Sequence, residues 1–92
     1  MVRPRRNRRI GFSPGVTYYK PAGIPVRELE EVILGMDEAE ALRLCDAGGL
    51  KQEGAAERMN VSQPTLFRIL SKAREKIADA LINGKAIRIE KK

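Results

Sequence analysis

Histidine and tryptophan are missing from this sequence, cysteine occurs once, and Phe and Tyr together supply four aromatic residues. Each shortage excludes something. One cysteine and no histidine cannot make an intrachain disulfide, nor a Cys/His zinc site within one chain. No imidazole is present to serve as a general base, no glycine loop has phosphate-binding spacing, and no pair of carboxylates stands out. An enzyme is therefore the least expected class, and no cofactor or metal is expected. Apolar runs fall well short of the ~20 residues that span a bilayer. The basic start is not followed by an apolar signal core. A reducing, cytoplasmic setting fits the cysteine usage. With so few rings, a chain of 92 residues must build its core from Leu, Ile, Val, Ala and Met, which suits one domain of small packed helices.

Positive charge is what the chain has in excess. Eighteen Lys and Arg against twelve Asp and Glu give a formal charge of +6, which favours an anionic partner such as nucleic acid or a membrane surface. Arg3, Arg5, Arg6, Arg8 and Arg9 supply five of those six net positives, leaving the rest close to neutral. Residues 1–9 thus form a basic arm, expected to be disordered or adaptable because like charges repel and nothing apolar repeats. A solvated tail and a phosphate or minor-groove contact both fit it, and an RNA-binding arm would look the same.

Residues 10–35 carry too many Pro and Gly for a long helix. Val16–Lys20 has the β-branched and aromatic content of a short extended piece, and Phe12, Tyr18 and Tyr19 are expected to cover a helical core. Val32-Ile33-Leu34 suits a strand as well as a helix. Ala86–Glu90, within the tail at 85–92, alternates apolar and polar. The two pieces are candidates to pair, within a chain or between two chains.

Residues 36–84 read as helices. Asp37 with Glu40 has the spacing of a capping box, with Met36 placed to staple onto Ala41, and Asp46-Ala47-Gly48-Gly49 stops that helix. Cys45 reads as a small core residue. A second helix runs from about Gln52 to Met59 and turns Ala55, Ala56 and Met59 inward. Asn60 tolerates the left-handed conformation that a sharp turn needs, Val61 is a plug, and Ser62 is an N-cap with Pro64 in the first turn. Leu66, Ile69, Leu70, Ala73, Ile77 and Ala80 or Leu81 then recur at intervals of three and four, to a stop at Asn83-Gly84. Two helices meeting closely across a tight turn need a small contact residue, a turn residue, a plug and apolar anchors under the second helix. Ala56, Asn60, Val61, Leu66 and Ile69 supply these together. The fold class expected is mainly α: a small helical domain with a helix-turn-helix, short terminal strands being left open.

The run Asp37–Leu44 followed by Gly49–Leu66 resembles region 4 of the sigma-70 type transcription initiation factors. Nearly the whole chain resembles the small prokaryotic proteins of the DUF134 (UPF0251) family. Arg3-Pro4-Arg5-Arg6, Tyr18-Tyr19-Lys20-Pro21-Ala22-Gly23-Ile24-Pro25, Arg27–Glu31 and the helical unit carry that resemblance. It implies a DNA-binding protein, a transcriptional regulator. Family members often have cysteine where this chain has Asn7 and Gly11, so no metal or redox role tied to those cysteines is carried over. Some continue into a domain similar to those that bind the nitrogenase iron-molybdenum cofactor, and that activity is not carried over either.

The similarity to region 4 implies that Gln63, Pro64, Phe67 and Arg68 face the major groove. Gln63 can pair with adenine, Arg68 with guanine, and Phe67 can touch a thymine methyl or be a core or dimer contact. Ser62, Thr65, Ser71 and Lys72 would hold phosphates, with Lys51 and Arg58 flanking the backbone or merely solvated. The partner expected is double-stranded DNA, read by a homodimer on a palindromic site. The alternatives are an adaptor that contacts RNA polymerase, using Glu38 and Glu40, and RNA binding through the arm. No membrane partner is expected.

Overall fold

The computed structural model describes residues 8–91; Arg3, Arg5 and Arg6 of the expected arm lie outside them. Strands β1 (Tyr18–Tyr19), β2 (Glu31–Gly35) and β3 (Ala86–Glu90) form one small sheet, and helices α1 (Met36–Ala41), α2 (Gln52–Met59) and α3 (Gln63–Asn83) carry most of the structure. The fold is mainly α with short strands.

The two strand candidates pair within one chain, and in parallel. Val32 stands beside Ile87 and Leu34 beside Ile89. Parallel strands cannot be joined by a hairpin, and here all three helices fill the crossover. β1 adds antiparallel to the other edge of β3, with Tyr18 opposite Arg88, so the order is β1-β3-β2. Strand alternation sends Leu34, Ile87 and Ile89 to the helical side. There they pack with Ala39, Ala73 and Ile77. The free edge of β2 is covered by Lys76, whose Nζ donates to the Ile33 carbonyl at 2.6 Å and to Glu38 at 2.8 Å. A cation on an edge strand also discourages pairing with another chain.

The first helix starts earlier than the sequence suggests. Gly35 is its N-cap, and Glu38, not Glu40, reaches back to accept the Gly35 N–H at 2.8 Å. Asp37 instead accepts the Glu38 N–H from inside the first turn. With the cap at Gly35, the staple positions become Leu34 and Ala39, which share a core cluster, rather than Met36 and Ala41. Beyond Ala41 the helix widens into a π-helical turn, Leu42–Ala47. Gly48 ends it where a Cβ would stand 2.9 Å from the Arg43 and Leu44 carbonyls, so only glycine lets the backbone close that turn.

A second cluster holds the helices together: Ala41, Leu44, Ala55, Ala56, Met59, Leu66, Ile69 and Leu70, with Leu42, Cys45, Leu50 and Val61 against it. α3 therefore spans both clusters, its first half packed on helices and its second half on the sheet. Of the two candidates near its end, Ala80 is the buried one and Leu81 is 78% exposed.

The expected aromatic cover over the helical core holds only for Phe12, which packs beside Leu34 and Ala39 and carries the Arg43 guanidinium 5.1 Å from its ring centre. Tyr19 is exposed. Tyr18 lies on the outer face of the sheet, donating to Glu31 at 2.7 Å under the Arg88 guanidinium.

Candidate nucleic-acid interface

α2 and α3 are joined by three residues, and backbone capping defines their turn. Asn60 takes φ 60°, ψ 45°, and its N–H donates to Ala56 and Glu57. The Val61 N–H donates to the Ala56 carbonyl at 3.0 Å. This pair of reversed bonds is the Schellman arrangement; it needs a left-handed residue, and Asn tolerates that conformation. Val61, half-buried, closes the gap against the helical core.

Ser62 then caps α3, its Oγ accepting the Thr65 N–H at 3.2 Å and donating to Thr65 Oγ1 at 2.9 Å. Pro64 sits in the first turn. Thr65 Oγ1 also receives Arg68 Nη2 at 3.4 Å, so the hydroxyls of Ser62 and Thr65 steer the arginine one turn on. Pro64, Phe67, Arg68 and Ser71 recur at helical spacing on one exposed face,, and Gln63 is exposed just before them. Phe67 is 57% exposed, so within this chain it is not a core residue. Phe67, Arg68, Ser71, Lys72, Arg74 and Glu75 line a shallow cleft of about 580 Å³.

The flanking residues divide. Lys51 is the N-cap residue of α2 and Arg58 lies in its last turn, at opposite ends of the helix. Lys72 is held loosely, 3.9 Å from Glu75. Of the described arm residues, Arg8 donates to Asp37 at 3.0 Å. The Arg9 N–H donates to the Met59 carbonyl at 3.0 Å. Arg8 is thus tied to the first turn of α1, and Arg9 to the end of α2 beside the turn.

Most cations elsewhere are matched. Arg74 pairs with Asp46, Lys76 with Glu38, Lys85 with Asp79, Arg88 with Glu31 and Arg43 with Glu40. Among the described residues Arg9, Lys20, Arg27, Lys51, Arg58, Arg68 and Lys91 have no carboxylate within ion-pair distance; Arg9, Lys51, Arg58 and Arg68 lie on or beside the α2–turn–α3 unit, and the other three lie outside it. Glu38 and Glu40 are buried and paired, so these two carboxylates are not displayed on the surface. The Cys45 thiol is pushed up by burial and by the neighbouring Asp46 charge, and stays protonated near neutrality. No group of three or more His, Cys, Asp or Glu among the described residues is placed to hold a metal ion. No helix among them is long and apolar enough to cross a membrane.

The model of the family described as "Protein of unknown function DUF134" matches residues 1–91. A UPF0251 protein of Moorella thermoacetica is 62% identical over 90 residues, covering 98% of this chain and 60% of that protein. A second, from Caldanaerobacter subterraneus subsp. tengcongensis, is 59% identical and covered over 76% of its length. A third, from Desulforudis audaxviator, is 58% identical and covered over 59%. The chain thus spans between about three fifths and three quarters of these relatives. No solved structure matches it. On the family model and these identities, the chain belongs to the DUF134 (UPF0251) family.

Proposed function

We propose that this protein binds double-stranded DNA as a transcriptional regulator, placing the first two turns of α3 in the major groove. The exposed face of α3 carries the reading: Gln63, Phe67, Arg68 and Ser71 stand together at its start, and four of the unpaired cations, Arg9, Lys51, Arg58 and Arg68, lie on or beside the same α2–turn–α3 unit. Exposed Gln63, Phe67 and Arg68 then supply groups that distinguish bases, and Ser62, Thr65, Ser71 and Lys72 supply partners for phosphates. The N-terminus of α3 adds partial positive charge at the same end. Its activity is binding rather than catalysis, in the cytoplasm. One such unit reads only a few base pairs, so two copies act together on a palindromic site. Leu81 and Ile82, each 78% exposed at the far end of α3, are the most exposed large apolar side chains described and are offered as the surface for that association.

Selection of bound fragments from a genomic DNA pool tests this reading. A recurrent, two-fold related sequence is expected, bound at least about fivefold less tightly by Arg68→Ala, since a bidentate contact to guanine is worth about 1–3 kcal/mol. Recovery of random fragments, or equal binding by the variant, would remove direct readout by α3.

A further inference from the structure

At the root of the arm lies a pocket of about 480 Å³ that neither the sequence pattern nor the α3 face accounts for. Arg9, Ile10, Gly11, Glu40, Arg43 and Arg58 line it. Its floor is one carboxylate. Glu40 is 2% exposed and is fully engaged: Oε1 accepts Arg43 Nε at 2.7 Å, and Oε2 accepts Arg43 Nη2 at 3.0 Å and the Gly11 N–H at 2.7 Å. Gly11 lets the chain pass close to the pair: a Cβ there would stand 2.9 Å from Arg43 Nη2, which would have to shift.

Three guanidinium groups therefore share one pocket with one carboxylate. Glu40 takes two of the five N–H groups of Arg43, leaving that residue's outer edge to the pocket. Phe12 under the same guanidinium fixes its plane. The side chains of Arg9 and Arg58 are exposed and make no hydrogen bond or ion pair among the described residues. Like charges held together repel, and a small oxyanion between them relieves that repulsion. Arginine forks suit phosphate oxygens in particular. The Arg9 N–H bond to the Met59 carbonyl places the pocket beside the turn that leads into α3, where a DNA backbone would pass.

We infer that Arg9, Arg43 and Arg58 form a phosphate pocket that takes one backbone phosphodiester of the DNA read by α3. The inference rests on the reading above, and its test separates the two. Inorganic phosphate, titrated into the ¹⁵N-labelled full chain, is expected to shift the Gly11 amide and the Arg43 Nε–H saturably. The shift is expected to vanish in Arg9→Gln/Arg58→Gln, which leaves the Glu40–Arg43 pair intact, and to persist in Arg27→Gln, a surface arginine outside the pocket. On selected DNA the double variant should lower the slope of log K against log salt by about one unit, the share of one phosphate, while keeping the same preferred sequence. No saturable shift in the wild type, or the same shift in the double variant, overturns the pocket. Unchanged salt slope on DNA, with phosphate binding lost, overturns its assignment to the DNA backbone and leaves readout by α3 standing. Phosphate binding at the pocket with no DNA binding by the wild type removes the DNA reading instead, and the assignment to a phosphodiester falls with it.

Discussion

Glu40 shows how one side chain can organise two parts of a small protein. Burial by itself would push its carboxyl up; hydrogen bonds from Arg43 and Gly11, with the Arg43 and Arg58 charges, outweigh that and hold it below its ordinary value. A carboxyl depressed in the folded state stabilises the protein above its unfolded value and loses that contribution as pH falls through the folded value. Glu40→Gln keeps an acceptor for Gly11 but removes the charge. It is expected to cost about 2 kcal/mol at neutral pH, read from urea midpoints, and to flatten the loss of stability below the ordinary carboxylate range. Equal slopes for both proteins in acid would show that Glu40 is not linked in this way. Asp46, Glu31 and Asp79 are also depressed, each first by hydrogen bonds from Arg74, Arg88 and Lys85 respectively, so some acid sensitivity remains in the variant. Cys45 behaves oppositely: with its thiol pushed up, it should react with iodoacetamide at neutral pH far more slowly than a free cysteine, and speed up only in denaturant.

At the scale of elements, local chemistry explains what was legible in the sequence and long-range contact explains what was not. The turn between α2 and α3 depends on near neighbours: a left-handed Asn60, a plug at Val61 and a cap at Ser62 are each specified within a few residues. Asn60→Val should therefore be less stable than Asn60→Gly by at least about 1–2 kcal/mol, the cost of a β-branched residue at positive φ, measured by thermal or urea unfolding. Equal stability of the two variants would mean that the turn relaxes to another conformation. Ser62→Ala should cost about 1 kcal/mol through the lost cap. By contrast, the start of α1 is not fixed by local sequence, because two acidic residues compete for the capping role and only the β2 geometry favours Glu38. The π-helical turn at Leu42–Ala47 has no periodic signature in so short a run. The parallel pairing of Glu31–Gly35 with Ala86–Glu90 joins pieces on either side of the helices, and alternation alone cannot say whether such strands meet in one chain or two. The site divides in the same way. The α3 face follows from helical spacing, but nothing local marks Arg43, in the π-helical turn, because its nearness to Arg9 and Arg58 is set by the tertiary fold.

For the whole molecule the distribution of charge matters more than its total. The net charge is +6, and Arg3, Arg5 and Arg6 account for half of it. Ion pairs neutralise half of the basic side chains on the described body, so on the proposed reading much of the long-range attraction would come from the first residues, while contact at the pocket and along α3 would fix position. Capture and readout are then separable. Removing residues 1–7 lowers the net charge to +3 and leaves every described contact in place, including Arg9 on Met59 and Arg8 on Asp37. Association with DNA should slow, because steering scales with net charge and is screened over about 8–10 Å at ordinary ionic strength. The difference between truncated and full-length chains should narrow as salt rises, since what was removed acts through a screened field. The preferred sequence should not change, because none of Gln63, Phe67 and Arg68 is altered. Stopped-flow association rates at low and high salt, with the selected site measured for both chains, check each part. If truncation abolished sequence preference while Arg68→Ala left it intact, the arm would be the reader and α3 its support.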